Sequence, residues 1–91
     1  MVFIVVSYDI PDDRRRTRLH KQLKGFGTRV QYSVFECLLD EAQFARLDLM
    51  VRRTIDRQAD HVRYYRLCES CVPRITALGG VVTQALETLV V

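Results

Sequence analysis

Val2–Tyr8 is an almost unbroken run of apolar β-formers that stops on Asp9. Such continuity, without polar alternation, predicts a central strand covered on both faces. Alternation assigns Phe3, Val5, Ser7 and Asp9 to one face and Val2, Ile4, Val6 and Tyr8 to the other. Pro11 breaks the strand, and from Asp12 to Phe26 the period becomes helical. Leu19, Leu23 and Phe26 fall at i, i+4 and i+7, a narrow apolar stripe. Asp12 is placed to cap this helix, Asp13 suits the positive end of its dipole, and Gly25 and Gly27 close it. Arg14, Arg18 and Lys21 lie opposite the stripe; Arg15 and Arg16 flank it near the strand end.

Thr28–Leu39 is rich in β-branched and aromatic residues and predicts extended chain. It is long for one strand, and a reversal near Ser33 would split it into two. Alternation puts Arg29, Gln31, Ser33, Phe35 and Cys37 on one side. Asp40 and Gln43 have the spacing of a capping box. They open a second helix whose stripe is Phe44, Leu47, Val51 and Ile55, ending near Arg57. Ala59–Cys68 reads as another strand, with Tyr64 and Tyr65 on opposite faces. Ser70–Leu78 can hold a short helical turn around Pro73, Gly79-Gly80 breaks the chain, and Val81–Ala85 and Leu86–Val91 are short β-like runs.

This order of elements fits an α+β fold, a ferredoxin-like split βαβ sandwich with an antiparallel sheet and both helices on one face. The expected organisation is a single domain over 1–91, with 79–91 as terminal strands. One sheet face would be bare, carrying Phe3, Val5 and Phe35, and a homodimer is the natural cover. The apolar tail at 88–91 suits pairing with the edge of a partner's sheet.

Composition narrows the function. A hydrophobic content of 48% excludes a disordered chain. No apolar run reaches the length of a membrane span. The start reads as a strand rather than a secretory leader, so the expected location is the cytoplasm. The net charge of +3 is uneven. Residues 1–30 carry +4 and the remainder −1, and twelve of the fourteen cations are Arg, whose planar fork suits phosphate. A carboxylate at a strand end, faced by cations on the next helix, is chemistry for a phosphate ester. Cys37, Cys68 and Cys71 read as free, buried structural thiols. Cys68 and Cys71 have CxxC spacing, but only His20 and His61 remain to complete a zinc site, which leaves metal or redox use a secondary reading. Tyr8, Tyr32, Tyr64 and Tyr65 read as core, His20 and His61 as surface.

Two motifs carry a resemblance. Tyr8-Asp9-Ile10 with Asp12-Asp13 and the Arg cluster, followed by Gly27 and Arg29-Val30-Gln31-Tyr32-Ser33-Val34-Phe35-Glu36, resembles the small CRISPR-associated endoribonuclease family, the second core protein of spacer acquisition. The resemblance implies a ferredoxin-like homodimer with two Asp9 side chains close across the twofold. It also implies Mg²⁺-dependent (or Mn²⁺-supported) cleavage of single-stranded RNA or double-stranded DNA, and a bridging role between dimers of the CRISPR integrase. Asp9 matches the metal carboxylate; Arg16, Arg18, Arg29, Ser33 and Phe35 match positions around the family's active site. Arg14, Arg16, Arg18, Lys21 and Arg29 are the expected nucleic-acid contacts. In chemical terms, Arg16 or Arg18 would neutralise developing charge, Ser33 would orient water or phosphate, and Phe35 would stack on a base.

Alternatives remain on the same fold: a non-catalytic dimeric adaptor that grips duplex DNA and bridges the integrase, or a toxin-type ribonuclease. An RNA-recognition module is disfavoured because its aromatic-and-glycine signature is absent.

Overall fold

The computed structural model of the chain describes residues 1–80. Its elements are strand β1 (Val2–Asp9), helix α1 (Asp13–Leu23), strands β2 (Thr28–Gln31) and β3 (Val34–Leu39), helix α2 (Glu41–Thr54) and strand β4 (His61–Leu67), followed by a 3₁₀ turn at Val72–Arg74. The four strands form one sheet in the order β2-β3-β1-β4, every neighbouring pair antiparallel. This is the ferredoxin-like α+β architecture, with β1 central between β3 and β4. The β-like runs expected within 81–91 lie outside the described residues.

The helices start where local chemistry sets them. The Asp12 side chain accepts the Arg15 amide at 2.9 Å, satisfying one of the free donors of α1. At α2 the capping box is complete. The Gln43 amide donates to Asp40 Oδ1 at 2.7 Å, and the Asp40 amide donates to Gln43 Oε1 at 2.8 Å. α2 ends at Thr54, three residues before the expected Arg57, and β4 is shorter than 59–68 at each end. The long extended stretch is two strands, with Tyr32 and Ser33 in the turn and a register irregularity between Arg29 and Gln31.

Both helices pack on one face of the sheet. Ile4, Val6 and Tyr8 of β1 meet Leu19 and Leu23 of α1, Phe35, Cys37 and Leu39 of β3, and Leu47 and Val51 of α2. Each fully buried aliphatic side chain here contributes about 1.5–3 kcal/mol, so this single layer is where the fold is held. Gly27 is required by the same packing. A Cβ there would lie 2.4 Å from Cys37 Sγ and 2.4 Å from the Glu36 carbonyl. The two glycines near the α1 terminus therefore do not act through left-handed backbone; among the described residues positive φ occurs only at Gly79 and Gly80.

The opposite face corrects one expectation. Phe35 is not on it: β3 pairs with β1 so that Phe35 stands beside Val6, on the helix side, and is fully buried. Alternation grouped Phe35 with Arg29 and Cys37 correctly, but the irregularity between Arg29 and Gln31 sets Gln31 opposite Val34 on the other face. Which face the helices cover is set by inter-strand register, which alternation does not carry. Phe3 does lie on the other face, yet it is already 2% exposed within a single chain. Val72 is also buried outside the helix-side core, and residues 75–79 border Val30, Val34 and Glu36 on this face. The chain thus covers part of the face expected to be bare. Val5, Ser7 and Asp9 of β1 and Tyr65, Arg63 and His61 opposite them remain half-buried or exposed.

A candidate nucleic-acid interface around the end of the first strand

Four acidic side chains bear on the end of β1 and the start of α1, and the structure sorts them. Asp12 is the helix cap, and Asp13 in the first turn pairs with Arg16. Asp60 is buried and takes Arg15 through Nε at 2.8 Å and Nη2 at 3.1 Å, with the Asp56 amide a third donor at 2.9 Å. The Arg15 hydrogen bond, opposed by burial, holds the Asp60 carboxyl below the usual carboxylate range. Asp9 differs from all three. It is exposed at the last position of β1, on the face away from the helices, opposite His61 of β4, and forms no ion pair among the described residues.

The arginine cluster divides in the same way. Arg15 is the clamp that ties α1 to the turn before β4. Arg16 donates through Nη1 to the Ile10 carbonyl at 2.9 Å and the Pro11 carbonyl at 3.4 Å, so it holds the loop that carries Asp9 into the helix. Arg14, Arg18 and Lys21 are exposed on the outer side of α1 and pair with no acid among the described residues. Their i, i+4, i+7 spacing makes a cationic row about 10 Å long. That length matches about three base steps at 3.4 Å each. Among the described residues the row leaves its cationic groups without an acidic partner, as the inward Arg15 and Arg16 do not.

On the helix side of the sheet, Tyr8, Arg16, Thr17, His20, Arg29 and Tyr32 line a cleft of about 150 Å³. Ligand pockets usually run from about 300 Å³ upward, so this cleft suits one phosphate-sized group. Burial raises the Tyr8 hydroxyl above its ordinary pKa, with Arg29 and Arg16 pulling the other way. Burial lowers His20, reinforced by Lys24 and Arg29. Neutral donors beside two guanidinium groups favour an anion. Tyr32 is 74% exposed and Tyr65 48%, so neither is the core residue expected. His20 is half-buried, its ring edge-on to Phe35 at 5.5 Å, and is not a plain surface residue. Tyr8 does pack in the core, but its position at the cleft was not read from its apolar neighbours. The signal available was its place beside Asp9, on the face that the next helix covers.

The expected site residues therefore fall in separate places. Arg16 and Arg29 share the cleft; Arg14, Arg18 and Lys21 share the outer face of α1; Asp9 is on the other face of the sheet. The Ser33 carbonyl accepts the Tyr8 amide at 3.1 Å, joining the β2–β3 turn to β1. Phe35 lies beneath the cleft, fully buried and stacked on Tyr8 with ring centroids 6.4 Å apart, and within one chain it offers no face to a base. No group of three or more His, Cys, Asp or Glu side chains could hold a metal among the described residues. The carboxylate of Asp9 is a hard oxygen donor of the type Mg²⁺ takes, and it is one ligand of a set. Among the described residues no helix is long and apolar enough to cross a membrane.

Comparison with known proteins gives a consistent result. Residues 1–75 match the family model described as CRISPR associated protein Cas2. A CRISPR-associated endoribonuclease Cas2 of Chloroflexus aurantiacus is 49% identical over 78 residues, 86% of this chain and 84% of that protein. The crystal structure of Streptococcus pyogenes Cas2 at pH 6.5 superposes with a TM-score of 0.75 at 30% identity, covering 85% of this chain and 99% of that one. A chain of a partial Cas6-RT-Cas1–Cas2 complex shares the fold, with a TM-score of 0.74 and 23% identity over 86% of this chain and 91% of that chain.

Proposed function

The chain belongs to the Cas2 family of CRISPR-associated proteins, and from that premise we propose that it is an endonuclease of spacer acquisition, acting on phosphodiesters of single-stranded RNA or duplex DNA as a homodimer with Asp9 paired across the twofold. The observation that carries this is the state of Asp9. It is an exposed carboxylate at the end of a central strand, left without a cation while Asp13 and Asp60 beside it are ion-paired and Asp12 caps the helix. Endoribonuclease activity is the activity in the name of the Chloroflexus relative.

In the proposed site Asp9 and the same carboxylate of a second copy hold Mg²⁺, or Mn²⁺ in its place. When bound, such a cation supplies polarisation of the phosphoryl oxygen and acidification of water. The chain's own residues do the rest. Arg18 and its row fix the backbone of the nucleic acid on α1. Arg29, backed by Arg16 in the cleft, binds a further phosphate of the same strand. Ser33 orients water or phosphate from the β2–β3 turn. Asp9→Asn is the test. The Asp9 side chain is exposed and makes no hydrogen bond among the described residues, so the variant should keep its fold and oligomeric state by analytical ultracentrifugation. Mg²⁺-dependent RNA cleavage should fall by a factor on the order of 10² or more. Unchanged cleavage, or parent cleavage that survives EDTA, would sink the nuclease reading.

The outward row favours a second role in the same molecule, an adaptor that grips duplex DNA on two symmetry-related faces and bridges dimers of the integrase. A protein that neutralises several phosphates binds with a steep salt dependence. Flat salt dependence of duplex binding would remove the adaptor. The apolar C-terminal tail is the proposed docking segment, and deletion of 86–91 should weaken dimerisation or integrase binding.

A further inference from the structure

Cys68 and Cys71 have no part in the site above. Contrary to the expectation of buried structural thiols, both are exposed, and only Cys37 is buried. Their sulfurs are 3.2 Å apart, and Cys68 Sγ also lies 3.1 Å from Ser70 Oγ. The backbone imposes this proximity. The Cys71 amide donates to the Cys68 carbonyl at 2.9 Å, and the Val72 amide donates to the same carbonyl at 3.2 Å. The turn is anchored on one side by β4, which ends at Leu67, and on the other by the fully buried Val72. Two solvent-facing thiols are therefore held in contact by a fixed turn. Zinc would need about four ligands, and no group of three or more candidate ligands exists among the described residues. The arrangement suits sulfur chemistry.

We propose that Cys68 and Cys71 form a reversible dithiol–disulfide site that exchanges with low-molecular-weight disulfides, with Cys68 as the attacking sulfur. Cys68 as thiolate attacks one sulfur of the small disulfide. A Cys68–S bond forms, the small S–S bond breaks, and one small thiolate leaves. Cys71, losing its proton to solvent, then attacks Cys68 Sγ. The Cys68–Cys71 bond forms and the second small thiolate leaves. Two protein thiols are oxidised, one small disulfide is reduced, and the two protons end on the two small thiols. The turn joins β4 to residues 75–79, which border the non-helix face of the sheet.

The electrostatics agree with the order of attack. Hydrogen bonds from Ser70 and Cys71 lower Cys68 to about 7, whereas the interaction with Cys68 raises Cys71. Burial pushes Cys37 up to about 12. At pH 7 an ordinary thiol of pKa 9.0 is about 1% thiolate and Cys68 about half, a gain of ~50-fold. The lower basicity reduces intrinsic nucleophilicity by about 8-fold. The net advantage is therefore roughly 6-fold.

The test uses the full chain with oxidised glutathione as the probe, read by intact mass and peptide mapping. The parent should lose two hydrogens and carry no retained adduct, with Cys37 unmodified. Cys71→Ser keeps a hydroxyl donor to Cys68 and should accumulate a single mixed disulfide at Cys68. Cys68→Ser should form its adduct at least about 6-fold more slowly at pH 7. A parent that ends with separate adducts on both cysteines would overturn the proposal, as would equal rates for the two single variants. Thiols that resist alkylation until a chelator removes bound zinc would overturn it too. Circular dichroism of each variant confirms that the exposed substitutions leave the fold intact.

Discussion

Replacing Phe35 by alanine separates two roles that the residue cannot both fill. As a base platform it would be dispensable for folding; as the structure places it, it is core. Its side chain is fully buried, stacked on Tyr8 and met edge-on by His20. Truncating a buried Phe to Ala costs about 3–5 kcal/mol, combining lost transfer energy and the cavity left behind. The aromatic pair adds about 0.5–1.5 kcal/mol to what burial alone supplies. For a domain of this size each kcal/mol moves Tm by about 4–8 °C, so Phe35→Ala should melt at least about 12 °C below the parent. In urea, at a slope near ~1.5 kcal/mol/M, the midpoint should fall by about 2 M or more. Phe35→Leu, which keeps most of the volume, should cost less than about 1.5 kcal/mol and retain RNA cleavage. Melts belong at one fixed protomer concentration, because a dimer's Tm depends on it. A Phe35→Ala protein that melts within a degree or two of the parent, while its RNA binding collapses, would refute the placement.

Replacing Arg14, Arg18 and Lys21 together by alanine should leave Tm nearly unchanged and flatten the salt dependence of duplex binding. Loss of three phosphate contacts lowers the log–log slope by about 2.7, and an unchanged slope would show that the row makes no phosphate contact. Gly27→Ala should destabilise by about 1–3 kcal/mol, measured by urea titration, because the new methyl meets Cys37 Sγ and the Glu36 carbonyl at 2.4 Å; a neutral result would mean that β3 yields freely. Asp60, whose folded pKa is depressed mainly by Arg15, contributes stability that is present above the ordinary value of 3.8 for the unfolded chain and lost as pH falls through the lower folded value. Asp60→Asn should therefore remove part of the acid dependence of unfolding, visible as a shallower fall in Tm below the ordinary carboxylate range. An identical acid limb in the two proteins would dismiss the clamp.

What was legible in the sequence was local. The cap at Asp12, the box at Asp40 and Gln43, and the stripe residues Leu19, Leu23, Leu47 and Val51 depend on residues within a turn or two and stand where spacing placed them, while Phe26 and Ile55 fall just past the helix ends, half-buried. The order of elements followed, and with it the ferredoxin-like sandwich. Long-range partners decided the rest. Spacing set Arg15 and Arg16 on the flank of the stripe and Arg14 and Arg18 opposite it, but it did not show that Arg15 meets an aspartate 45 residues away or that Arg16 reaches back to its own loop. Phe35 lost its place on the bare face because strand register, not alternation, chooses the covered side. Tyr32 looked like core by composition, yet a reversal two residues wide turns it outward.

Helix α1 carries its duties on separate angular sectors: Leu19 and Leu23 toward the sheet, Arg15 and Arg16 at its flank, and Arg14, Arg18 and Lys21 away from everything. That partition makes the helix evolvable. Drift at the three outer positions can retune the charge and reach of this face at little cost to folding, because substitutions on the solvent side share no partners with the core. The same positions are the natural points of entry for engineering, where lysine, glutamine or glutamate can be exchanged to dial affinity while the scaffold stays constant.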